Sequence, residues 1–212
     1  MVSSWNATLI RLLVSIPGML LCLSVHEAAH GFAANALGDP TAKRAGRLTL
    51  DPLRHLDPIG TICLLFFHVG WAKPVPVDPR YFKHRRRDMA LVSLAGPLSN
   101  FLLALAALFL YHPLRLSNSN VVMTIALMFY MTAVMSIGLG VFNLIPVPPL
   151  DGSKILFSFV PYRIEQKFAQ YQQFIQFGLF ALLFIGVLDG PMNTAINFIY
   201  RALYTIVLMV LG

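Results

Sequence analysis

Five long apolar stretches run through the sequence, at 9–37, 89–111, 121–146, 174–188 and 195–211, separated by shorter polar segments. A helix needs about 20 apolar residues to cross a hydrocarbon layer about 30 Å thick, and all but the fourth stretch approach that length. The pattern predicts an all-α polytopic membrane protein with about five transmembrane helices. A further apolar run, 59–69, is too short to cross as a helix and leads into Gly70-Trp71-Ala72-Lys73-Pro74-Val75-Pro76-Val77, where prolines favour extended backbone. That segment predicts a membrane-associated β-hairpin or re-entrant loop. Irregular backbone at membrane depth is tolerated only where protein or a water-filled cavity covers it, so the hairpin is expected beside a functional site.

Composition agrees with this picture, since 57% of the 212 residues are hydrophobic and only 12% charged. So much membrane-length sequence leaves no room for a separate soluble domain, and residues 1–212 are expected to form one domain. Cys22 and Cys63 both lie in apolar sequence and are too few for a disulfide framework, so buried free thiols are expected. The net charge of +7 is concentrated, with 10 of the 16 Lys and Arg residues between Lys43 and Arg87, including Arg85-Arg86-Arg87. Basic loops stay on the cytoplasmic side, which orients the spans and offers contact with anionic lipid head groups. In a chain of this hydropathy the charge points to the bilayer and not to nucleic acid. With five spans, the turn near Asp189 is expected outside and residues 154–173 inside.

Candidate chemistry lies within the first apolar stretch, at His26-Glu27-Ala28-Ala29-His30. On a helix, residues i and i+4 share a face, so both imidazoles can reach one metal while Glu27 approaches a water bound to it. Zinc suits that donor set. With six His and two Glu in the chain, the pattern arises by chance only about 0.002 times. Ionisable groups inside an apolar span are costly and mark functional positions.

A hydrolytic zinc site takes three protein ligands and leaves one position open. Leu150-Asp151-Gly152 and Leu188-Asp189-Gly190 both offer a carboxylate. In the five-span topology Asp151 follows a helix arriving on the same side as His26 and His30, whereas Asp189 lies a membrane thickness away, so Asp151 is the better third ligand. Three prolines in 143–152 forbid a regular helix there and predict unwinding near the metal. His55, His68 and His84 stand alone in loop sequence. Asn143, an amide in an apolar helix eight residues before Asp151, is a candidate to stabilise a developing oxyanion, and Asn100 has a weaker version of the same claim.

These motifs together resemble the intramembrane site-2 proteases, zinc peptidases that cut transmembrane segments of other proteins. The resemblance rests on His26 to His30, on 70–77, on Gly96-Pro97-Leu98-Ser99-Asn100 and on 143–152, in this order along most of the chain. It implies zinc held by His26, His30 and Asp151, with Glu27 as catalytic acid and base. It also implies a catalytic core over about 9–152 and a two-helix C-terminal addition over about 172–211, in a short form without the PDZ or CBS domain of some members. The implied function is hydrolysis of peptide bonds in or near transmembrane segments, in signalling or in clearance of signal-peptide remnants. The implied setting is a multi-pass protein of a prokaryotic plasma membrane, with its site near the cytoplasmic side and a transmembrane protein as substrate. The exposed edge of 70–77 could then pair with an unwound substrate strand, at Val75 for example. A zinc or cation transporter is the alternative from another class, as is a non-catalytic binding protein of the same fold. Ligands clustered at one depth without internal repeats argue against transport, and Glu27 would be idle in a mere binder. No oligomeric state follows from the sequence.

Overall fold

The computed structural model describes residues 4–57 and 73–212, with side chains from residue 14 onward. All regular structure among them is helical. Helix α1 (Ser4–Ala36) is followed by the short α2 (Thr41–Arg44), then α3 (Arg85–Leu114), α4 (Asn120–Asn143), α5 (Asp151–Phe157), α6 (Tyr162–Gln170), α7 (Gln172–Ile185) and α8 (Asp189–Leu211). At 1.5 Å per residue the 33 residues of α1 extend about 50 Å. It packs against α3 and α4, and α8 closes the other side of that pair. Small residues permit the close approach: Ala104, Ala107 and Ala133 are buried with Leu108, Ile137 and Val207 where α3, α4 and α8 meet. Between α1 and α4, the free thiol of Cys22 lies 3.0 Å from the Ser136 hydroxyl. Cys63 falls outside the described residues.

Helices α3, α4 and α8 are long and apolar enough to cross a membrane, and the pair α6–α7, bent by 70°, makes a fourth if it counts as one span. The direction of α8 bears on that pair. Ile196 lies against Gly138, Tyr200 meets Tyr130, and Tyr204 bonds His112, so α8 runs antiparallel to α4 and parallel to α3. Its first residue, Asp189, therefore sits at the same end of the bundle as Asn143. Glu165 of α6 is at that end too, 3.9 Å from Arg86 in the first turn of α3. The chain leaves and regains one end of the bundle through α6 and α7. This corrects the sequence expectation that Asp189 lies a membrane thickness from Asp151. Residues 174–188 are apolar enough to suggest a crossing, but the 14 residues of α7 reach only about 21 Å.

The hairpin expected over 70–77 falls partly outside the described residues, and no strand occurs among those that are described. Residues 73–78 form an extended strap, with no partner strand among the described residues. Backbone and side-chain hydrogen bonds tie it down. Lys73 N–H donates to the His55 carbonyl (2.8 Å), and Arg47 Nη2 donates to the Lys73 carbonyl (2.5 Å). Val75 N–H donates to Glu27 Oε2, and Asp78 N–H donates to Asp39 Oδ2 (2.7 Å). Asp39 is fully buried and also accepts from the backbone N–H and the hydroxyl of Thr41. A buried carboxylate at the end of α1 thereby fixes the strap to the helix that bears Glu27.

Candidate metal centre

His26 and His30 project from one face of α1, as their i, i+4 spacing dictates. Asp151 begins α5, after seven residues in which α4 has unwound through its prolines. Gly152 lets α5 start there, because a Cβ on it would stand 2.5 Å from the Ile145 carbonyl oxygen. The three side chains converge. His26 Nε2 lies 3.1 Å from Asp151 Oδ2, His30 Nε2 lies 3.0 Å from the same oxygen, and the two Nε2 atoms are 3.0 Å apart. All three residues are at least nine-tenths buried.

The protonation pattern says what this triangle accepts. His30 Nδ1–H donates to the Val92 carbonyl at 2.8 Å, so in a neutral ring Nε2 carries a lone pair. That lone pair faces the Asp151 carboxylate. Two acceptors pressed together in an apolar bundle need a proton or a metal ion between them. Adjacent ligand atoms in tetrahedral zinc sites with bonds of about 2.0–2.1 Å stand about 3.3–3.4 Å apart, so the observed edges need to open only slightly. Among the described residues, His26, His30 and Asp151 form the one group of His, Cys, Asp or Glu that converges in this way.

Neighbouring residues shape the site. Gly96 of α3 leaves room for the imidazoles, since a Cβ there would lie 2.5 Å from His30 Cε1 and 2.7 Å from His26 Cε1. Asn100, one turn further along, reaches His26 Nδ1 at 3.1 Å. Lys154 Nζ donates to Asp151 Oδ1 (3.1 Å), which leaves Oδ2 to face the histidines. Glu27 is not part of the triangle and accepts from Val75 N–H at 2.8 Å. A cavity of about 330 Å³ opens over the site, lined by His26, Glu27, His30, Asn143, Asp151 and the strap at Val75. Asn143 donates its amide to the Leu139 carbonyl at 3.0 Å, so it borders the cavity while bonded to its own helix.

The other histidines are elsewhere. His55 is buried and bonds the Thr49 carbonyl through Nε2 at 2.8 Å, His84 precedes α3, and His68 lies outside the described residues. Val75, expected on an exposed edge, is buried with its N–H committed to Glu27. Asp39 and Arg47, which hold the strap, were not singled out from the sequence. Their only signal there is a charge beside a helix end.

Comparison with known proteins agrees with this geometry. A profile of peptidase family M50 matches residues 111–186, which carry Asn143 and Asp151. YwhC of Bacillus subtilis, named as a zinc metalloprotease, is 39% identical over 176 residues, covering 81% of this chain and 80% of that protein. Rip2 of Mycobacterium tuberculosis, named likewise, is 32% identical over 185 residues, covering 82% of this chain and 68% of that protein. Rip2 of Mycolicibacterium smegmatis is 32% identical over 143 residues, covering 65% of this chain and 53% of that protein. No solved structure matches the chain. The chain belongs to peptidase family M50, the site-2 protease family of zinc metalloproteases.

Proposed function

We propose that this zinc metalloprotease cleaves peptide bonds in or near transmembrane segments of other membrane proteins, with His26, His30 and Asp151 holding the metal and Glu27 moving the proton. The observation that carries this reading is the buried triangle of two imidazole nitrogens and a carboxylate oxygen, with edges of 3.0–3.1 Å, under a cavity that also contains Glu27. Zinc supplies an acidified water and a Lewis acid for the scissile carbonyl. Glu27, which belongs to the same helix but not to the triangle, takes the proton of the attacking water and returns it to the departing amine. Val92 and Lys154 hold His30 and Asp151 in the orientation this requires. Asn143 borders the cavity within reach of an incoming carbonyl, and turning its amide from Leu139 would let it donate to an oxyanion.

The bilayer reading assigns α1 as a further span beside α3, α4 and α8. In it α6–α7 is a re-entrant or interfacial element, in place of the fifth crossing expected from hydropathy. The end of the bundle holding Asp151 and Arg85 to Arg87 then faces the cytoplasm of a prokaryotic cell. Residues 9–152 contain every group assigned a role, so they form the catalytic core, with 172–211 as an addition. The strap, through Pro74, Val75 and Val77, lies along one wall of the cavity and positions an unwound substrate there. Because Val75 N–H is committed to Glu27, pairing with substrate uses other groups of the strap.

Cleavage of a transmembrane peptide by the purified protein tests this assignment. Glu27→Gln is expected to retain zinc at wild-type stoichiometry and to lose about 10²–10⁴-fold in kcat. His26→Ala and Asp151→Ala are expected to lose the metal. Full proteolysis by zinc-loaded Glu27→Gln would refute the proton-transfer role.

A further inference from the structure

Asn100 is fully buried at the level of the metal-binding triangle, and its carboxamide makes one bond, between Nδ2 and His26 Nδ1 at 3.1 Å. Its other end, Oδ1, is buried without a hydrogen-bond partner. An orphaned amide oxygen in an apolar bundle is costly and asks for a reason. In this arrangement the amide donates to His26 Nδ1, which places the ring proton on Nε2, where it points at Asp151 Oδ2. That tautomer cannot ligate through Nε2, because the lone pair the metal needs is occupied by a proton.

We propose that Asn100 is a positioning residue that stabilises the metal-binding tautomer of His26 by reversing its amide. Rotation of the carboxamide by half a turn exchanges two groups of nearly identical shape. Oδ1 then accepts from His26 Nδ1–H at the same separation, and Nε2 presents its lone pair to the triangle. No described residue bonds the far end of the amide, so the tautomer of His26 decides which way it turns. The same side chain stabilises His26 both as a donor to Asp151 and as a metal ligand. His30 has no such freedom, because the Val92 carbonyl only accepts and holds Nδ1–H permanently. Of the two histidines, one is preset for metal and the other is switched into place. The inference rests on the reading of His26, His30 and Asp151 as metal ligands, and it concerns a residue that touches neither metal nor substrate.

The test is zinc affinity, measured on the purified full chain in detergent by competition with a chromogenic chelator. Asn100→Leu removes both donor and acceptor at similar volume and is expected to weaken zinc binding about 10–100-fold. Asn100→Asp keeps an acceptor facing Nδ1–H and is expected to bind zinc at least as tightly as wild type. The visible spectrum of the Co²⁺ form should keep its tetrahedral bands in Asn100→Asp and lose intensity in Asn100→Leu. Thermal unfolding of the metal-free proteins identifies a variant that has merely misfolded. Equal zinc affinity in wild type and Asn100→Leu would overturn the inference, as would an Asn100→Asp protein that folds but binds as weakly as Asn100→Leu. Failure of the wild type itself to bind zinc, or unchanged binding in His26→Ala, would instead overturn the metal-centre reading.

Discussion

Replacing Gly96 with alanine adds one methyl group to the wall of the proposed metal site, and the distances there give the sign of the effect. The new Cβ would lie 2.5 Å from His30 Cε1, 2.6 Å from His30 Nε2 and 2.7 Å from His26 Cε1. To regain ordinary contact, the imidazoles must retreat by about 0.7–0.9 Å. Metal–ligand distances tolerate only about 0.2 Å. Alanine is also the better helix former, by about 0.5–1 kcal/mol, but that gain is common to the metal-free and metal-bound protein and cancels from the affinity. Overpacking costs of about 1–3 kcal/mol fall mainly on the state in which both rings are pinned by metal, so zinc affinity should drop about 5–150-fold. Gly178→Ala in α7 is the control, because nothing lies within 4 Å of a Cβ there; it should raise stability slightly and leave zinc binding unchanged. Zinc competition titrations on both variants decide the matter. A Gly96→Ala protein binding zinc within twofold of wild type would refute the packing argument.

Asp39→Ala leaves the backbone N–H groups of Thr41 and Asp78 without their acceptor and should cost about 1–3 kcal/mol in unfolding experiments. Because the strap carries the donor to Glu27, peptidase activity should fall more than zinc binding does. Arg86→Ala severs the guanidinium from the Phe157 carbonyl at the end of α5 and from the Val160 carbonyl beyond it; faster amide exchange across 151–160 is expected, with weaker zinc binding through a loosened Asp151. Chelation of the metal should lower the midpoint of thermal unfolding, and zinc at a hundredfold excess over its dissociation constant should restore about 2.7 kcal/mol.

The sequence made the site more legible than the topology. His26, Glu27 and His30 were readable because a five-residue pattern contains its own helical geometry, and three ionisable groups stand out in an apolar span. Asp151 could be singled out because the prolines around it forbid a helix. Asp189, however, is set apart from Asp151 in the sequence only by a crossing between α6 and α8, which the structure does not contain. Hydropathy measures how apolar 174–188 is, not whether a 14-residue helix turns back. The direction of α8 is set by contacts such as Ile196 with Gly138 and Tyr204 with His112, which join residues far apart in sequence and have no local signature. Asp39 and Gly96 were illegible for the same reason, since their roles depend on what a second segment brings against them.

The bond between His26 and Asp151 spans 125 residues, and this gives the metal a part in holding the molecule together. An ion gripping both ends of that loop acts as a cross-link between the first helix and the segment after the fourth. For a chain free to explore all conformations, such a link would be worth about 5 kcal/mol of closure entropy; membrane helices explore far fewer, so this is a ceiling. An ion held at the proposed site would be a clasp as well as a reagent, and metal loss should show itself as α5 parting from α1 before any helix melts.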